Sequence, residues 1–209
     1  MENLSISPLH KAVEAGSIQA VQILNVNGIY TMITPLHNAV KNGNFQKVNA
    51  LIQKGINLES MDGYGETPLH YAAMFGEETI LEALLEKGAE IEGKNSREMT
   101  PLQSALIPLK LSIAKILLKH GADVEVKSRL GYSPLHIAIN NGDISLANLL
   151  LAYGADVNSP SRTGLIPLIR ALSAKQHDIL ELLLQNGAKT DFDDRVGPIV
   201  HFVINENCI

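Results

Sequence analysis

TPLHYAAMFGEETILEALLEKG, residues 67–88, is the stretch on which the reading of this chain turns. Thr67 stands before Pro68, and a hydroxyl at a helix N-cap accepts a hydrogen bond from a free N–H of the first turn. Proline at the first helical position gives up no bond, because its missing N–H would have no intrahelical partner there. A short apolar helix, Leu69–Met74, is expected next, and Gly76 then supplies a turn. A second helix carries Ile80, Leu81, Leu84 and Leu85 at helical spacing. It ends at Gly88, suited to the left-handed residue that closes a helix C-terminus.

The same pattern runs outward in both directions. Pro-Leu pairs begin at Pro8, Pro35, Pro68, Pro101, Pro134 and Pro167, spaced 27 and then 33 four times. A glycine follows each proline by 20 residues: Gly28, Gly55, Gly88, Gly121, Gly154 and Gly187. A hydroxyl precedes five of the six prolines, at Ser7, Thr34, Thr67, Thr100 and Ser133. Self-similarity at such a period means a repeat architecture. The stretch after each second helix, such as Ala89–Glu98, reads as an extended hairpin leading into the next unit.

These residues resemble the ankyrin-repeat family. TPLH, the GAEI, GADV, GADV and GAKT runs and the 33-residue period carry the resemblance, over residues 4–209. It implies an all-α repeat solenoid of ankyrin-type stacked helix pairs with projecting β-hairpin loops. One array is expected, with repeats near 7–33, 34–66, 67–99, 100–132, 133–165 and 166–198 and a partial unit at 199–209.

Composition agrees with a thin, layered core: 45% apolar, 4% aromatic, no Trp. The net charge of −5 gives no electrostatic case for nucleic acid. The single Cys208 excludes an internal disulfide framework and points to a reducing compartment. No apolar run approaches the roughly 18 residues of a membrane span, and MENLSISPLH lacks the regions of a signal peptide. A cytoplasmic or nuclear protein is expected, in a host cytosol if the source is a pathogen, with no membrane and no cofactor.

The units are not identical. The first has six residues fewer after Gly28, so a blunt finger is expected there, after a second helix over Ile18–Asn27. Leu109 and Lys175 stand where Gly16, Gly43, Gly76 and Gly142 make the inter-helix turn, and Leu109 is expected to alter that turn. Gln103 and Ile169 replace the motif histidine, and Ile166 replaces the capping hydroxyl. At the end, Ile199-Val200-His201 resembles a degenerate PLH, and a second helix would begin where Ile209 closes the chain. Either that half-repeat is the polar cap that a terminal repeat needs, or the chain is a fragment of a longer protein, the second being the favoured expectation.

No constellation for catalysis stands out: G-x-S-x-G, H-E-x-x-H, a P-loop and C-x-x-C are all missing. His10, His37, His70 and His136 recur at one repeat position, and the resemblance gives them a structural role, bonding backbone between neighbouring repeats. His120, His177 and His201 show no metal-ligand spacing. Glu77-Glu78 and Asp193-Asp194 are expected on exposed helix starts and turns.

Four of the five arginines lie in the hairpins: Arg97, Arg129, Arg162 and Arg195. The last three are 33 apart, and Arg97 is offset by one. At a repeat pitch of roughly 8–10 Å, they would form a ladder suited to an acidic peptide or phosphate-bearing partner. The resemblance also places Tyr64, Glu66, Met74, Phe75, Met99, Ile107, Tyr132 and Leu165 along a concave groove. An apolar patch around Met74, Phe75 and Ile107, flanked by Tyr64 and Tyr132, would anchor a partner.

The expected function is a non-enzymatic protein-interaction module, expected to be monomeric, whose partner is another protein with an acidic segment. The alternatives are an N-terminal fragment of a larger host-interaction adaptor of viral or bacterial type, and a regulatory domain of an enzyme complex.

Overall fold

The computed structural model describes residues 22–26 and 29–190, with side chains from Ile33 onward. Arg195, His10 and the half-repeat at 199–209 lie outside these residues. The described chain is of the all-α repeat-solenoid class, built from helix pairs packed in sequence order. The pairs are α1 (Pro35–Lys41) with α2 (Phe45–Gln53), α3 (Pro68–Phe75) with α4 (Glu78–Glu86), and α5 (Pro101–Leu106) with α6 (Leu111–Lys119). They continue with α7 (Pro134–Asn140) and α8 (Ile144–Ala152), then α9 (Pro167–Ser173) and α10 (His177–Gln185).

Each first helix starts at its proline, as the sequence requires. Thr34 and Thr67 accept the backbone N–H of the residue three further on, and Ile166 supplies no side-chain cap. Each second helix is followed by a glycine with φ between 71° and 90°, at Gly55, Gly88, Gly121, Gly154 and Gly187. Leu109 and Lys175 do not alter the inter-helix turn. They adopt φ 56° and 55°, beside 61° and 68° at Gly43 and Gly142. The same bonds form in both: Gly43 N–H to Val40 O and Phe45 N–H to Gly43 O, Leu109 N–H to Leu106 O and Leu111 N–H to Leu109 O. The local geometry is imposed by the repeat, and the side chain carries the strain of the left-handed region.

The chain divides into two compact units. One holds residues 1–105 and 112–121, the other 106–111 and 122–209. In the first, α1 packs on α2 and α3, and α4 on α2 and α3. Leu36, Val40, Leu69, Ile80, Leu81 and Leu84 are fully buried there. In the second, α7 packs on α8 and α9, and α10 on α8 and α9, around Leu135, Ile139, Leu150, Leu168 and Leu183. Full burial of each such side chain contributes about 1.5–3 kcal/mol.

Two expectations are corrected. The second helix expected over Ile18–Asn27 is not helical in its described part. Gln22–Val26 is a strand, β1, paired antiparallel with β2, Ile29–Ile33, in the register Val26↔Ile29 to Gln22↔Ile33. The sequence reason is Asn27-Gly28 between two runs rich in β-branched residues, which is the strongest short hairpin signal. The fingers between helix pairs are, conversely, not strand hairpins. Among the described residues they contain turns only. Each tip is a five-residue loop closed by two backbone bonds, one from the N–H of Asp62, Asn95, Ser128 or Ser161 to the carbonyl four residues on, and one to that residue's own carbonyl from the N–H of Gly65, Glu98, Gly131 or Gly164. No described helix is long and apolar enough to cross a membrane.

Candidate functional site

The site is best built from the repeat position that sets its floor. His37, His70 and His136 are buried. In each, Nε2 lies 2.8–2.9 Å from a backbone carbonyl 29 residues later, that of Glu66, Met99 or Leu165. A carbonyl only accepts, so Nε2 carries the proton. Nδ1 of His70 accepts from the N–H of Thr67, and Nδ1 of His136 from the N–H of Ser133. The rings of His70 and His136 are therefore neutral. Burial lowers the pKa of all three below the ordinary 6.5, against the opposing pull of the carbonyl bond. Gln103 shares the bond made by Nδ1, its Oε1 accepting from the N–H of Thr100. The histidines are joints between successive units, as the resemblance implies.

These joints hold the bases of the fingers ending at Glu66, Met99 and Leu165 against the first helix of the preceding pair. The first residue of the tip then fixes the loop with its side chain. Asp62 Oδ1 accepts from the N–H groups of Tyr64 and Glu66, and Asn95 Oδ1 from those of Arg97 and Met99. Ser128 and Ser161 make one such bond each, to Tyr132 and Leu165. Asp62, Asn95 and Tyr71 were not among the residues the sequence pointed to. The available signal was Asp62 three residues before Gly65, since Asp and Asn bond their own backbone two residues on.

In the first unit, Tyr71 donates its hydroxyl to Asp62 Oδ2 at 2.9 Å. Burial, and then this bond, push the Tyr71 pKa up. Its ring meets that of His37 edge-on at 4.9 Å and that of Phe75 at 5.6 Å. The row of rings leads outward to Phe75, which is 43% exposed, and Tyr64 on the fingertip is 52% exposed. Met74 and Met99 are half-buried.

Glu66 departs from its expected place. It is 3% exposed, so it presents no surface to a partner. Its Oε1 accepts from Asn95 Nδ2 at 2.9 Å and from an amino group of Arg97 at 3.2 Å, and its Oε2 is buried with no hydrogen-bond partner. Arg97 itself is 65% exposed.

In the second unit, Ile107 is 58% exposed. Arg129 and Arg162 are exposed on their tips at equivalent positions, and Tyr132 and Leu165 are half-buried. The Tyr132 ring lies 5.7 Å from His136. The structure therefore brings Tyr64, Met74, Phe75, Arg97 and Met99 into one unit, and Ile107, Arg129, Tyr132, Arg162 and Leu165 into the other. Arg195 is outside the described residues. Among those described, no group of three or more His, Cys, Asp or Glu side chains could hold a metal ion.

Paired helices at a 33-residue period, histidine joints and turn-closed fingers define the unit. A family model described as ankyrin repeats (3 copies) matches residues 9–95, 36–128, 92–161 and 109–194. The chain belongs to the ankyrin-repeat family. No curated protein matches it. Ankyrin repeats are generally protein-interaction modules and typically not enzymes.

Proposed function

We propose that this ankyrin-repeat chain is a non-enzymatic module that binds another protein through its finger bases and the ends of its first helices. The carrying observation is the exposure of Phe75 and Tyr64, 43% and 52%, above a row of packed rings. Aromatic side chains held by rigid neighbours are the usual anchors of binding energy. On the second unit, Arg129 and Arg162 are both exposed at equivalent fingertip positions and suit an acidic segment of a partner, because guanidinium groups match carboxylates in geometry. The single cysteine is in keeping with work in the cytosol or nucleus.

The test is capture of a binding protein by wild type beside the Met74→Ala, Phe75→Ala double variant. Loss of an aromatic anchor is worth at least about 2 kcal/mol, or roughly 30-fold in affinity. An unchanged affinity would move the working surface elsewhere. Arg129→Ala with Arg162→Ala should flatten the salt dependence of binding, and an unchanged salt response would remove the acidic segment.

A further inference from the structure

Three neighbouring substitutions in the first unit depart from the repeat pattern together. The fifth residue of the fingertip loop is Glu66 in one finger, but Met99, Tyr132 and Leu165 in the others. The first residue of the following tip is Asn95, and it alone among the four carries a side-chain N–H to give backwards; Asp62, as a carboxylate, has none, and Ser128 and Ser161 have hydroxyls only. The third residue of that tip is Arg97, which explains why this arginine is offset by one from Arg129 and Arg162. The three meet at one atom, Oε1 of Glu66, to which Asn95 and Arg97 both donate.

An apolar residue fills the Glu66 position in three fingers of the same chain, so packing does not require the carboxylate. A buried carboxylate is costly to desolvate and is weak evidence for stability. Here it has one oxygen without a partner and an arginine that is 65% exposed as its counter-charge. The arrangement holds the guanidinium by one amino group and leaves the side chain 65% exposed, on a tip whose Ser96 N–H bonds the Tyr64 carbonyl. Arginine carries five N–H donors in a rigid fork, so a fork fixed on one side has a defined direction on the other.

We propose that Arg97 is the specificity-determining contact of this surface, receiving the carboxylate of an acidic side chain in a partner segment, and that Glu66 and Asn95 are positioning residues that aim it. This rests on the reading of the chain as a protein-binding module. It assigns the contact to one arginine, and it gives Glu66 a role without touching the partner.

The test uses the full chain and a displayed library of random dodecapeptides, with circular dichroism on every variant. Wild type should enrich peptides with Asp or Glu at one fixed distance from an apolar or aromatic residue. Arg97→Gln should abolish that acidic preference and weaken the best peptide by about 10-fold or more, as for loss of a hydrogen bond to a charged group. Glu66→Met, which copies Met99, should keep a preference for acids but lose the fixed distance, and Glu66→Gln, which keeps an acceptor for Asn95 and Arg97, should restore it. Should Glu66→Met fail to fold, the Arg97→Gln and Glu66→Gln arms still decide. Enrichment of apolar peptides unaffected by Arg97→Gln would overturn the assignment while leaving the binding surface in place. Enrichment of basic peptides would also overturn it, making Glu66 the recognised charge. If no peptide is enriched and Phe75→Ala leaves protein capture unchanged, the underlying module reading fails as well.

Discussion

Replacing His70 by alanine and by glutamine separates what its two nitrogens do. The ring is fully buried, and Thr67 at its side is 1% exposed. In His70→Ala the Thr67 N–H loses its acceptor, at about 1–3 kcal/mol for a stranded buried donor. The Met99 carbonyl loses one donor but keeps the Asn95 N–H at 3.0 Å, so its loss is nearer 1 kcal/mol. The space left by the ring adds about 1–2 kcal/mol at about 24 cal/mol per Å³ of cavity. The sum is about 3–6 kcal/mol. Glutamine keeps the acceptor, as Gln103 does for Thr100 at 3.1 Å. His70→Gln should therefore cost only about 1 kcal/mol. For a chain of this size 1 kcal/mol moves the thermal midpoint by about 2–4 °C, so at about pH 7.5 His70→Ala should melt about 10 °C lower and His70→Gln about 2–4 °C lower. Far-UV circular dichroism reads both. Equal losses would show that accepting the Thr67 N–H is not what matters, and an unshifted His70→Ala would remove the joint altogether.

The same rings predict acid sensitivity. The folded pKa values of His37, His70 and His136 lie below 6.5, so below that pH the unfolded chain takes up protons that the folded chain refuses. Stability is full above 6.5 and falls as pH drops, each ring approaching a limiting slope of about 1.4 kcal/mol per pH unit; denaturation midpoints that hold constant from neutral pH down to about 5 would contradict it. Gly65→Ala and Gly164→Ala share a positive φ, 72° and 77°, but an added Cβ at Gly65 would lie 2.7 Å from the Ser96 nitrogen, whereas Gly164 has nothing within 4 Å. Gly164→Ala should then cost about 1–2 kcal/mol of backbone strain and Gly65→Ala clearly more, which paired melts would show. Lys175→Gly should stabilise by roughly 0.5–1 kcal/mol, since the exposed side chain is held at φ 55°; a lower midpoint would mean that Lys175 makes a compensating contact.

The helix pairs were legible because their signals are local. Thr67, Pro68, Gly76 and Gly88 each act within one turn of their own position, and the period of 33 repeats those signals in register. The joint made by His70 was legible only through the family resemblance, because its carbonyl is 29 residues away. Leu109 misled because side-chain preference argued for a changed turn, while the bonds of the repeat held the backbone in the left-handed region. Gln22–Val26 misled because repeat logic asked for a helix, whereas Asn27-Gly28 and its β-branched flanks carried a stronger local preference. Glu66 was placed in a groove by its repeat position. Its burial depends on Asn95 and Arg97, 29 and 31 residues away, and no local pattern reports such partners. The exposure of Tyr64 and Phe75 did agree with the position each holds in the repeat.

The reach of the histidines also gives the chain a direction in time. Each Nε2–H finds its acceptor 29 residues downstream, never upstream. During synthesis, a helix pair can emerge complete while its ring still lacks the carbonyl it will bind. A nascent array that ends just after His37, His70 or His136 therefore carries an open latch, and the finger that next leaves the ribosome closes it.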